Sequence, residues 1–193
     1  MSTPVTRAAR MAPLAPESMT DAQKKAAEEL ASGPRGRVSG PFNVLLRSPE
    51  LMSPLQKVGE YLRFKSPLDR RIAEMATLIA ARHWTQNYEW SAHHPLALKA
   101  GLKDEIAQAI ADGRRPSGMA QDEEIVYDLL TEALQNKSVS DVTYDRALTQ
   151  FGEQQVVELL AIAGYYSLLA IMLNVGRVPV PEGKTPGMPH FPH

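Results

Sequence analysis

The chain has 193 residues, a formal net charge of -1, 44% hydrophobic and 22% charged residues, and no cysteine. That balance suits a single soluble domain with arms and excludes a basic nucleic-acid stripe. The missing thiols exclude disulfides, thiolate metal sites and any cycle built on a protein cysteine nucleophile.

Residues 1–17 are proline-rich and aperiodic and read as a flexible N-terminal arm. They lack the apolar core of a secretory signal, so a cytoplasmic location is expected. Thr20 and Gln23 have capping-box spacing and predict a helix through Leu30 that stops before Gly33. The Gly/Pro/Arg-rich segment that follows, with Arg35 and Arg37, reads as a loop. It has neither Walker spacing nor G-x-G-x-x-G, which argues against a phosphate cradle. Short helices are expected at 42–47 and 49–64.

Ser66-Pro67-Leu68-Asp69 predicts a helix start, with Ser66 as cap and Pro67 in the first turn. The helix should run to about Arg82 and, being apolar around most of its circumference, should be buried on several sides. It carries Glu74 inside I-A-E-M-A-T-L-I-A-A. A buried acid is costly unless paired or protonated. The plain alternative is a helical ion pair with Arg70 or Arg71.

A second helix should start near Gln86, end at Gly101 and kink at Pro95. Glu89 and His93 are one turn apart and share a face, with Gln86 a turn earlier. His93 could equally be a core histidine satisfied by Glu89. Tyr88 is a candidate substrate hydrogen-bond donor, Trp84 and Trp90 suit core or pocket wall, and His83 and His94 suit the surface or an interface. Paired Glu-x-x-His motifs, H-E-x-x-H and G-x-S-x-G are all absent, so no metal site or esterase elbow is expected.

Further helices are expected at 103–112, 122–135 and 142–151, then, after Gly152, at 153–174. The last is strongly apolar, but its polar ends and internal Glu158 argue against a membrane span. No segment alternates like a strand, so the fold class is all-α. The single domain should span 18–177, followed by a Pro-rich C-terminal tail, 178–193, that is either disordered or laid across a neighbouring subunit.

R-R-I-A-E, then N-Y-E-W-S-A-H, then A-L-K-A-G-L followed by D-E-I resemble the carboxymuconolactone decarboxylase family, whose fold is shared with alkylhydroperoxidase D-like proteins. F-G-E-Q-Q-V-V-E-L-L-A-I-A-G extends the resemblance over most of the chain. The redox branch of that fold pairs two cysteines with a His and a preceding Glu. The resemblance sets the His on His93, the Glu on Glu74, and the lost cysteines on Gln86 and Glu89. It implies a cysteine-free, cofactor-free lyase acting by general acid–base chemistry on a small carboxylated lactone or related aromatic-degradation intermediate.

In that reading Glu74, Glu89 and His93 are catalytic, with His93 as proton donor positioned by Glu89. Arg70, Arg71, Gln86, Tyr88 and Trp90 bind substrate, and Arg35 or Arg37 could also hold a carboxylate. A peroxidase-type activity and a non-enzymatic ligand-binding oligomer are the alternatives. The expected partners are a small-molecule substrate and further copies of the chain, as a trimer or hexamer with a dimer as the alternative. Tyr165, Tyr166, Leu168, Leu169, Met172 and Leu173 would supply the interface, and His190 or Phe191 of the tail would reach a neighbour.

Overall fold

The structure is a computed structural model that describes residues 8–184 and 187–189. Eight α-helices and no strand are found among the described residues. In order they are α1 (Asp21–Ser32), α2 (Pro41–Leu45), α3 (Pro49–Phe64), α4 (Arg70–His83), α5 (Asn87–Lys99), α6 (Asp104–Ala111), α7 (Gln121–Asn136) and α8 (Asp141–Gly176). The capping box at Thr20 and Gln23 forms in both directions.

The fold is arranged around α4, which packs against α5, α6, α7 and α8. Every residue from Ile72 to Arg82 is buried. Ala73, Ala76, Ala80 and Ala81 let neighbouring helices approach closely, while Ile72, Met75 and Leu78 fill the core. Each of these large side chains contributes about 1.5–3 kcal/mol by leaving water.

The start of α4 differs from the expectation. Asp69, not Ser66, is the cap, accepting from the Arg71 and Ile72 N–H groups. Ser66 is occupied elsewhere: its hydroxyl donates to Glu158 at 2.5 Å and accepts from the Leu68 N–H at 3.2 Å. Glu158, buried in α8, also accepts from the Tyr61 hydroxyl at 2.6 Å and from Gln154 at 3.0 Å. It is therefore a satisfied structural acid.

A two-bond turn ends α4 and aims α5. The Gln86 N–H donates to the Ala81 carbonyl at 2.8 Å and the Thr85 N–H to the Arg82 carbonyl at 3.0 Å. This is the Schellman arrangement, which normally places glycine in the left-handed position. Here Thr85 occupies it at φ 48°, an unusual and strained choice for a β-branched residue. α5 continues as helix through Pro95. α8 is broken at Gly152 (φ 71°, ψ 166°), where the sequence predicts an interruption.

By length and composition α8 could cross a membrane, yet 56% of its most apolar window is buried in the fold. Tyr165, Tyr166, Leu169 and Leu173 are buried within the protomer, so the interface expected of them is not available. The exposed apolar side chains of α8 are instead Val142, Tyr144, Val157, Leu160, Ile171 and Val175.

Both arms are tied to the body where they are described. The Arg10 and Met11 N–H groups donate to the Gly176 carbonyl, and Arg47 donates to the Ala12 carbonyl at 2.7 Å. The C-terminal segment returns to its own protomer, with Met188 buried in the core. His190 and Phe191 lie outside the described residues.

Candidate functional site

α4 and α5 bring Glu74 and His93 together in the buried interior. His93 Nδ1 lies 2.7 Å from Glu74 Oε2. The other carboxylate oxygen of Glu74 pairs with Arg70, one turn earlier on α4. Arg70 in turn donates to the Arg63 carbonyl at 2.6 Å, tying the pair to the end of α3.

Burial works to raise the Glu74 pKa, but the His93 hydrogen bond and the Arg70 and Arg63 charges hold it below the ordinary value. Burial, reinforced by the same arginines, holds His93 below its own ordinary value despite Glu74. The pair is therefore an ionised carboxylate and a neutral imidazole. Nδ1–H donates to Glu74, and the assigned tautomer leaves Nε2 as the basic nitrogen. The Tyr166 ring meets His93 edge-on at 4.9 Å and fixes its plane.

Glu89, one turn before His93, is 3% exposed, and neither carboxyl oxygen has a hydrogen-bond partner. Burial alone pushes its pKa well above the ordinary value. The expectation that Glu89 positions His93 is thus corrected: Glu74 holds the ring, because the α4–α5 packing presents it to Nδ1. Glu89 stands apart as an uncharged, unpartnered acid.

Glu89 and His93 line a cavity of about 600 Å³. Arg35 and Arg37 enter it from the α1–α2 loop, Arg63 from α3, Tyr165 and Tyr166 from α8, and Lys184 from the C-terminal segment. The Nε atoms of Arg35 and Arg63 and the Tyr165 hydroxyl are buried without a partner. Arg35 lies 4.6 Å over the Phe42 ring, which holds the guanidinium plane in place. Tyr88 also lines the cavity, its phenol pushed up by burial.

The remaining sequence candidates lie elsewhere. Arg71 joins α4 to the start of α7, meeting Asp122 at 2.6 Å and Glu123 at 2.5 Å. Gln86 caps α5 through the Tyr88 N–H and reaches Asn174 at 2.8 Å. Trp90 is a core residue stacked on His94, which meets Asp104 at 3.2 Å. Arg70 does not line the cavity and bears on the site through Glu74 and the Arg63 carbonyl. Arg63 and the α8 tyrosines were missed by sequence reasoning. The basic residue near the end of α3 was the sole local signal for Arg63. Among the described residues, no group of three or more His, Asp or Glu side chains is arranged to hold a metal ion.

No family model and no curated protein matches this sequence. Among solved structures the fold is similar to that of an alkylhydroperoxidase AhpD core, an uncharacterized peroxidase-related protein from Ralstonia eutropha JMP134. The TM-score is 0.66 over 89% of this chain and 97% of that one, at 16% sequence identity. The all-α, alkylhydroperoxidase D-like fold implied by the resemblance is therefore the fold of this chain.

Proposed function

We propose that this alkylhydroperoxidase D-like chain is a cofactor-free, decarboxylase-like lyase for a small carboxylated lactone or a related unsaturated acid. The supporting observation is an uncharged acid and an uncharged base, Glu89 and His93, one turn apart on α5 and lining one cation-rich cavity. Burial raises the carboxyl and lowers the imidazole, so the one keeps its proton and the other stays without a second, which suits a proton donor and a proton acceptor.

Arg35, Arg37 and Arg63 hold the anionic substrate, and the Nε donors of Arg35 and Arg63 have no protein partner. The bond from carbon to the leaving carboxylate breaks, and its electron pair moves into the conjugated carbonyl as carbon dioxide departs. The enolate oxygen that forms is stabilised by the cationic wall. Glu89 delivers its proton to carbon. Both Glu89 oxygens are buried in the wall, so the proton passes only to a group seated directly against it. His93, held in plane by Glu74 and Tyr166, accepts and returns protons through Nε2 to recharge the site.

This reverses the donor role expected for His93, because the buried orphan acid is the better proton store. A thiol-based peroxidase cycle has no cysteine to use. We further propose a cytoplasmic homo-oligomer, supported by the exposed apolar side chains of α3 and α8.

The test is a panel of carboxylated lactones followed by ultraviolet loss of conjugation and by carbon dioxide release. Glu89→Gln and His93→Ala should each lower the rate by about 10²–10⁴-fold, the usual worth of a positioned acid or base. Full activity in Glu89→Gln, or no turnover across the panel, would remove the lyase reading.

A further inference from the structure

The C-terminal segment forms part of the cavity wall. α8 ends with Arg177 in the left-handed region, and the Val178 N–H returns to the Leu173 carbonyl at 3.0 Å. The chain then runs past the cavity, where Pro181 and Lys184 line it. Pro181 to Lys184 form a tight turn, closed by the Lys184 N–H donating to the Pro181 carbonyl at 3.0 Å. Gly183 at φ 77° occupies the third position, where a type II turn needs a positive φ. P-E-G-K is thus a local sequence device that sets where Lys184 stands.

Four contacts downstream fasten residues 187–189. Met188 is 3% exposed within the core cluster. Asn87, at the start of α5, clasps the Met188 backbone in both directions, accepting from its N–H at 3.0 Å and donating to its carbonyl at 3.4 Å. Arg82 donates to the Pro189 carbonyl at 2.7 Å. Gly187 lies so close to the Trp90 indole that a Cβ there would sit 2.5 Å from the ring. Residues 178–184 are held at the end of α8, and residues 187–189 are held by α4, α5 and the core.

We infer that the C-terminal segment is a latched wall of the cavity and that its Lys184 is a specificity-determining residue, selecting ligands with a second carboxylate. Lys184 is the cation that does not come from the arginine side of the cavity, where Arg35, Arg37 and Arg63 lie on α3 and the loop before α2. Glu89, uncharged, is the lone carboxyl among the described lining residues, so an anionic ligand meets no opposing charge. A monocarboxylate is held by the arginines alone, whereas a dicarboxylate can also reach Lys184. The inference rests on the reading of this cavity as an anion site, but not on turnover.

The experiment is calorimetric titration of the full chain with phthalate and with benzoate, planar probes that differ by one carboxylate. Wild type should prefer phthalate. Lys184→Gln should cut that preference by about fivefold, the reach of one solvent-exposed ion pair, and Lys184→Arg should keep it. Met188→Ser should lower the preference too. In a Trp84→Phe background it should make Trp90 more accessible to acrylamide quenching. Undetectable phthalate binding to wild type, or an equal preference in Lys184→Gln, overturns the inference. An unchanged preference and unchanged quenching in Met188→Ser overturns the latch. A Lys184-dependent preference in a protein that turns over no lactone would leave this inference standing and remove the lyase reading.

Discussion

Replacing Glu89 by glutamine should stabilise the protein, and increasingly so as pH rises. The ordinary value for this carboxyl is 4.5, and burial without any partner sets it well above that in the fold. Between the two values the unfolded chain has lost the proton while the folded chain keeps it. Stability therefore falls with rising pH, by up to about 1.4 kcal/mol per unit. Two units above the ordinary value the accumulated loss reaches up to about 2.7 kcal/mol if the folded carboxyl is still protonated. Glutamine has no proton to lose. At low pH its amide is as poorly partnered as the neutral acid, so the two proteins should begin nearly level. Urea unfolding of both across about pH 4 to pH 7, at constant ionic strength, gives the difference curve. Titration of Glu74 and His93 is shared by both proteins and largely cancels. A difference that stays flat within about 0.3 kcal/mol, the additivity error for independent sites, would refute the orphan-acid reading.

Nitrogen-detected NMR should show His93 neutral at pH 6.5, with the proton on Nδ1. Its depressed value makes its share of stability full above the ordinary value of 6.5 and lost as pH falls through the folded one. Removing the adjacent anion in Glu74→Gln should lower that value further, and an imidazolium at pH 6.5 would refute the assignment. Thr85→Gly relieves a left-handed β-branched residue and should raise stability by about 1 kcal/mol, the low end of such strain; a lower unfolding midpoint would contradict it. Light scattering at micromolar concentration should report at least twice the 21.2 kDa chain mass, and a monomer that still turns over substrate would overturn the assembly proposal.

Helical spacing and composition showed which positions share a face but not what stands opposite them. Glu74 and His93 each stood out as a polar group in an apolar helix, but only the family resemblance set them together, since spacing alone paired Glu74 with Arg70 or Arg71 and His93 with Glu89. Glu89 was misassigned because spacing of four suggests a pair, whereas the imidazole has turned to α4. Arg71 and Gln86 carry suitable chemistry but serve to tie α4 to α7 and to cap α5. Arg63 and Tyr165 reach the cavity only because α8 packs on α4 and α3 packs on α8, a non-local fact absent from either segment. The α8 tyrosines looked like an interface because an apolar helix looks the same whether its cover is its own chain or another.

The last turn of α8 is a shared anchor for both chain ends. The Gly176 carbonyl holds the N-terminal segment at Arg10 and Met11, and one residue later the C-terminal segment departs toward the cavity. Fraying that single turn loosens both at once, the C-terminal segment as far as its downstream attachment at Met188, while α4 and its neighbours stay packed. The amides of Arg10, Met11 and Val178 should then exchange with solvent as one unit, at a free energy well below global unfolding. Lys184 stands between that turn and the Met188 attachment, so this local opening loosens one wall of the cavity while the core stays closed.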